Sequence, residues 1–363
     1  MQMFIILLLI FLLVCAIAVS LSKNLLNSII IYMSFGVVMS VLWMILESPD
    51  LAITEAAVGA GITSVLFFVT LKKIQAIKAQ IEGKDVSGIE EADFVLKKPQ
   101  SKLPSAQVRL FKRLYRMAGI LFCVIFISFM ISAVAELPAI GEADKPVNNE
   151  VSERYIESGL QETGSVNIVT GMILDYRAFD TLGESHVLFV ATVAVLILLR
   201  VDNKHKLEKK DYLAAEAMQD RGFEPKNDTI LQVVAKVLVP PILIFGIYVV
   251  LFGHLGPGGG FSGGAIIGAG LILYLSAFGF EKTERFFKES TYKKTSFAAL
   301  ACYCLCKSYS FYTGANHIHS IIPLGTPGAI LSSGLILVLN ICVGVVVAGT
   351  MYTFYVMFRK GGY

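Results

Sequence analysis

The chain has 363 residues, of which 55% are hydrophobic and only 16% charged, a balance that soluble proteins rarely show. Its formal net charge of +3 is too small to suggest nucleic-acid binding, so the placement of the charges carries more than their sum. Six cysteines (Cys15, Cys123, Cys302, Cys304, Cys306 and Cys342) lie in apolar runs with no CxxC pair, so neither a metal site nor a cofactor is expected.

Nine apolar stretches are expected to span a membrane, at about 3–22, 26–46, 51–71, 118–137, 184–200, 231–252, 264–280, 296–314 and 330–357. The first lacks a basic leader and an A-x-A cleavage site, and reads as a retained span. The connections divide by charge. The segment 72–117 is rich in Lys and Arg from Lys72 to Arg116, and 200–230 runs from Arg200 through Lys209–Lys210 to Lys226. Between them, 138–183 is acidic, with Glu142, Asp144, Glu150, Glu153, Glu157, Glu162, Asp175 and Asp180. The positive-inside rule places the two basic segments in the cytoplasm and the acidic one outside. The expectation is an all-α polytopic membrane protein with about nine transmembrane helices, N-terminus outside and C-terminus cytoplasmic. Its seams divide it into 1–75 (three helices), a linker 76–108, 109–201 (two helices and the acidic loop), a linker 202–228 and 229–363 (four helices).

The third span is the informative one. Ser48-Pro49 reads as N-cap and first helical residue, and Asp50 in the first turn complements the helix dipole. Glu55 lies roughly 10 Å along the helix from its start at Ser48, where an acid costs several kcal/mol unless it is paired, protonated or hydrated. Ala52, Ala56, Gly59 and Thr63 suggest a small-residue face for close helix approach. Glu55 is the leading candidate for an ion pathway.

Other ionisable residues have both structural and functional readings. Glu184 follows Thr181 by three residues, so T-L-G-E reads as a capping box that opens the fifth span, a role compatible with function. Lys236 can snorkel from the cytoplasmic side of the sixth span, just before Pro240–Pro241. Lys307, past the middle of the eighth span, needs a partner or water, although Tyr309 and Tyr312 suggest an interface nearby. Nucleotide loops, metal-ligand clusters and activated nucleophiles are absent from the sequence. A membrane-embedded enzyme would need one of these; a purely structural subunit would need Glu55 and Glu184 to be dispensable.

Between the sixth and seventh spans lies Gly253-His254-Leu255-Gly256-Pro257-Gly258-Gly259-Gly260-Phe261-Ser262-Gly263-Gly264. Glycines before a helix start permit close backbone approach or an exposed nest of N–H groups. No Lys-Ser/Thr follows, so a packing wedge is favoured over phosphate binding, with His254 held by a hydrogen bond or titrating near neutral pH.

GHLGPGGGFSGGAI and the later PLGTPGAILSSGLILVLNICVGVVVAG resemble the B subunit of Mrp-type multisubunit sodium/proton antiporters. That family often carries Lys or Glu where this chain has Val346. SPDLAITEAAVGAGITSVLFF resembles the three-helix module at the end of the family's A subunit, and NIVTGMILDYRAFDTLGES the two-helix module after it. The same modules recur in membrane-bound energy-converting hydrogenases and related ferredoxin-driven complexes. The resemblance maps Glu55 and Glu184 onto acids of a proposed cation path. It implies a subunit of a prokaryotic cell-membrane complex that moves Na+ and H+. Its partners would be large proton-channel subunits, small membrane subunits and membrane lipid, with hydrogenase or ferredoxin-oxidising subunits in the second kind of complex. The proton-channel segment itself is absent, so transport by this chain alone is not expected.

Overall fold

In the computed structural model the residues described are 2–81, 106–138, 145, 147–199, 229–283, 285 and 287–360, and these form helices and no strand. The expected linkers 76–108 and 202–228 lie largely outside them. The chain divides into two compact units, Met1–Val95 with Ser158–Tyr363, and Leu96–Glu157.

The first unit begins with a hairpin of α1 (Gln2–Leu21) and α2 (Leu25–Ile45). Asn24 sets the turn because its side chain accepts from the Leu26 N–H and satisfies one orphan donor of α2. Leu8 and Leu12 then pack on Leu42. Ser48 is the N-cap of the next helix and Pro49 its first residue, as the sequence suggests, but no side-chain cap bond forms. This α3 (Pro49–Thr54) passes into a π-helical stretch, Glu55–Thr63, before α4 (Ser64–Ile81) resumes normal winding. The wider turn removes the single small-residue face expected of an α-helix: Ala52 and Ala60 are buried, whereas Ala56 between them is exposed. Close approach is still achieved at Gly36, where an added Cβ would stand 2.9 Å from the Ala60 nitrogen.

The second unit contains α5 (Ala106–Ala135) and α6 (Glu150–Glu157), and every residue from Leu110 to Pro138 is exposed.

Returning to the first unit, α7 (Gly159–Thr163) and α8 (Ile168–Gly171) lead into a second π-helical stretch, Met172–Tyr176. Helix α9 (Ala178–Leu198) follows. It starts before the 184 expected for the fifth span, which overturns the capping box: Thr181 is already helical, and its hydroxyl donates to the Ile173 carbonyl at 2.8 Å. The last four helices are α10 (Thr229–Phe252), α11 (Gly260–Thr283), α12 (Glu289–Ala315) and α13 (Ile336–Lys360). α10 continues through Pro240 and Pro241, and α11 is broken near its end at Gly279.

Helix α13 is the centre of this unit. Leu339, Val343, Val346 and Val347 pack with Ala265 of α11, Leu300 and Tyr303 of α12, Leu174 and Ile62 in one buried cluster. It begins at Ile336 rather than near 330 because the preceding chain turns through left-handed Ser333 and Gly334. α11 approaches it closely: a Cβ added at Gly264 would stand 2.6 Å from the Gly344 carbonyl oxygen.

Among the described residues, eight of the nine expected spans are apolar enough to cross a membrane. The exception is α12, which has ample length in its 27 residues but carries Lys293, Lys294, Lys307 and many hydroxyls.

Candidate functional site

Glu55 is the first residue of the first π-helical stretch and is half-buried. Its side chain turns back over Gly59, where an added Cβ would lie only 2.7 Å from the Glu55 carboxyl carbon. A glycine four residues on is thus what gives the carboxylate room beside its own helix. Among the described residues the carboxylate makes no hydrogen bond or ion pair. π-helical turns leave main-chain hydrogen bonding irregular and are frequent at functional sites. The arrangement presents a partly desolvated acid with unused acceptor capacity, which can hold a proton or a cation.

The second π-helical stretch also carries an acid. Asp175 accepts from the Lys307 ammonium at 2.9 Å. The Lys307 side chain is only 6% exposed and that of Asp175 35%, so the pair runs from the interior of the bundle to a more open edge. A lysine buried this deeply in the bundle needs such a partner, since an unpaired buried charge is costly. On the same helix as Lys307, the Tyr303 hydroxyl donates to the Ala178 carbonyl at 3.0 Å, beside Thr181 and within electrostatic reach of Asp175 and Glu184. Glu184 itself is exposed on α9, one turn after Asp180, which pairs with Arg177 at 2.7 Å.

A third cluster joins distant parts of the chain. One oxygen of Asp50 accepts from the Gly258 N–H at 2.9 Å and from the Asn167 amide at 3.3 Å. Asn167 also donates to the Gly253 and Gly256 carbonyls, at 3.1 and 2.9 Å, and its own N–H donates to the His254 carbonyl at 3.0 Å. Gly258 has φ of 142°, a conformation in which a side chain is strained, and it aims its N–H at the carboxylate. Gly260 donates to the Asn340 side chain at 2.9 Å, fixing the start of α11 to α13. His254 is fully buried; its Nε2 donates to the Ala329 carbonyl at 3.3 Å, and among the described residues its Nδ1 has no partner. Of the rest of the loop, Pro257 is exposed, Gly259 is buried with φ of 126°, and Phe261 packs on the central cluster.

The structure therefore brings Asp50 together with the glycine loop rather than with Glu55. Among the described residues no hydrogen bond or ion pair links Glu55, Glu184, Lys236 and Lys307 to one another. Lys236 is exposed on α10, and Val346 is buried in the central cluster. The sequence places Asp175 only among the acids of the external loop and gives Asn167 no role, whereas the structure pairs Asp175 with the buried Lys307. The available signal was slight: Asp175 is an acid in the apolar run Ile168–Tyr176, and Asn167 is a cap-forming residue just before it.

Three families match successive stretches of the chain. The family of the D subunit of MBH covers residues 10–76, that of the E subunit of MBH covers 125–206, and the "Domain related to MnhB subunit of Na+/H+ antiporter" covers 230–353. An uncharacterized protein of Methanocaldococcus jannaschii is 32% identical over 202 residues, covering 52% of this chain and 74% of the relative. A protein of Rhizobium meliloti described as the probable A/B subunit of a K(+)/H(+) antiporter is 25% identical over 269 residues, 69% of this chain and 24% of the relative. The structure of the Mrp complex from Dietzia sp. DQ12-45-1b contains a chain of similar fold, with a TM-score of 0.66, 22% identity and coverage of 98% of this chain. This chain spans 34% of that one and about a quarter of the Rhizobium relative.

Proposed function

This chain belongs to the Mrp-type multisubunit Na+/H+ antiporter family, and from that premise we propose that it is a plasma-membrane subunit lining part of a cation/proton path. The observation that carries the reading is the half-buried, unpaired Glu55 carboxylate on a π-helical turn. It loads and releases a proton or cation, and the Asp175–Lys307 pair and Glu184 supply further charge along the bundle. Na+ and H+ are the ions, partner subunits provide the proton channel proper, and the basic loops face the cytoplasm.

The test is dye-reported proton movement in inverted vesicles on adding sodium, with assembly followed on native gels. Glu55→Gln keeps shape and hydrogen bonding but removes charge and titration; Glu55→Asp keeps both and shortens the reach. The Gln variant should assemble and lose exchange, with the Asp variant retaining part of it. Normal exchange in an assembled Gln variant would remove Glu55 from the path. A second reading, membership of a redox-driven, hydrogenase-type complex, is favoured by the two families named for MBH subunits. Proton movement started by reduced ferredoxin and indifferent to imposed sodium gradients would select it.

A further inference from the structure

Four fully buried hydroxyls meet where α9, α12 and α13 adjoin: those of Thr192, Tyr292, Ser296 and Thr350. Thr350 Oγ1 lies 3.4 Å from Thr192 Oγ1 and 3.4 Å from the Tyr292 hydroxyl. Ser296 follows Tyr292 by one turn, and both stand against the residue before Thr350. A Cβ added at Gly349 would lie 2.9 Å from a Tyr292 ring carbon and 3.6 Å from Ser296 Oγ.

The hydrogen bonding of this group is unfinished. Bonds between hydroxyl oxygens are usually about 2.7–2.8 Å long, so both 3.4 Å contacts are weak. Thr192 has one proton to give, and the Leu188 carbonyl at 2.9 Å is its nearer acceptor. The carbonyl of Tyr292, to which a helical Ser296 would ordinarily back-bond, accepts from Thr295 at 3.1 Å. Ser296 Oγ has no partner among the described residues. A buried hydroxyl left unpaired is costly, and bound water is the usual remedy, since it bonds to about three otherwise unsatisfied groups. The four hydroxyls are neutral, and each can both donate and accept, which suits water better than a bare cation.

Position gives the group a use. It lies about 9 Å from the end of α9 and about 15 Å from the end of α13, well inside the bundle. The same face of α12 carries Tyr303 and Lys307, about three and four turns further on. Tyr303 reaches the Ala178 carbonyl and Lys307 pairs with Asp175, so a polar seam runs along α12 at two levels. Leu188, Ala299, Leu300 and Val346 belong to the apolar cluster between them, which makes the levels two stations rather than one continuous file. We propose that the Thr192–Tyr292–Ser296–Thr350 group binds water and relays protons through it. As water gives a proton to one hydroxyl, that hydroxyl passes its own to the next oxygen, so no group is left charged. The relay rests on the proton path proposed above; the water site does not.

The complex, extracted in mild detergent with the subunits that accompany this chain, is irradiated with microsecond X-ray pulses in isotopically labelled water. Oxidation of Tyr292 is then read by mass spectrometry. Tyr292 should be oxidised although it is fully buried, because radicals form on the water bound beside it. In Ser296→Ala/Thr350→Val the labelling should fall several-fold, and Ser296→Ala alone, the milder change, should lower it too. Thr350→Ser, which keeps the hydroxyl, should retain it. An unlabelled Tyr292 in the parent protein, or labelling unchanged in the double variant, overturns the water site. In inverted vesicles the assembled double variant should move protons several-fold more slowly, with Thr350→Ser near normal; unchanged movement overturns the relay. Slowed movement in the double variant beside normal exchange in Glu55→Gln would uphold the relay and remove Glu55 from the path, and the reverse result would do the opposite.

Discussion

The Asp175–Lys307 pair makes an asymmetric prediction. Removing one member of a buried ion pair costs about 3–5 kcal/mol, because the other charge is left uncompensated. Asp175→Asn strands Lys307, whose side chain is 6% exposed, and should approach that full cost. Lys307→Met strands Asp175, whose side chain is 35% exposed and retains contact with its surroundings, so the loss should be nearer about 1–2 kcal/mol. The double variant removes both charges and should be no less stable than Lys307→Met alone, since apolar replacement of a buried pair is often neutral. A double-mutant cycle of detergent-induced unfolding in micelles reads these values as a coupling energy. Equal single costs that sum in the double variant would show no coupling, and the pair would have to be abandoned as a feature of the folded protein.

Asp50→Asn keeps the size of the side chain but weakens a charge-assisted bond to Gly258, and should cost about 1.5–3 kcal/mol in the same unfolding assay; no change would mean that the loop is held by Asn167 alone. Gly264→Leu places carbon against the Gly344 carbonyl and should lower unfolding stability by about 1–3 kcal/mol or more, seen as a chain that inserts but is cleared from membranes; normal abundance would contradict the close approach of α11 and α13. In a background carrying Cys123→Ser, Glu157→Cys should react with an impermeant thiol reagent in intact cells while Lys206→Cys does not; labelling at Lys206→Cys alone would reverse the orientation.

Helix positions were legible because long apolar runs leave few alternatives, and ends were least legible where polar residues begin a helix. Ala178-Phe179-Asp180-Thr181 hid the first turn of α9 behind an acid and a hydroxyl. The π-helical winding of Glu55–Thr63 was not legible: E-A-A-V-G-A-G-I-T suits either winding. The small-residue face therefore failed at Ala56 although Ala52 and Ala60 are buried. Lys307 visibly needed a partner, but Asp175 is 132 residues away, and local periodicity carries no record of such a pairing. The glycine loop announced close approach, yet its link to Asp50 crosses 208 residues and depends on the fold as a whole.

That link has a consequence for how the parts stay together. Asp50 falls within the stretch matched by one family, Asn167 within a second and Gly258 within a third. Were these stretches separate polypeptides, the few hydrogen bonds between them would have to sustain association against dilution. Covalent continuity replaces dilution by an effective concentration on the order of millimolar for suitably short connections. Contacts too weak to hold free polypeptides together then suffice, and stoichiometry is set at one to one to one by translation. Cleaving the chain between residues 202 and 228 would restore the dilution term without touching a single contact at Asp50, so the three-way junction should loosen more as the protein is diluted after the cut than before it.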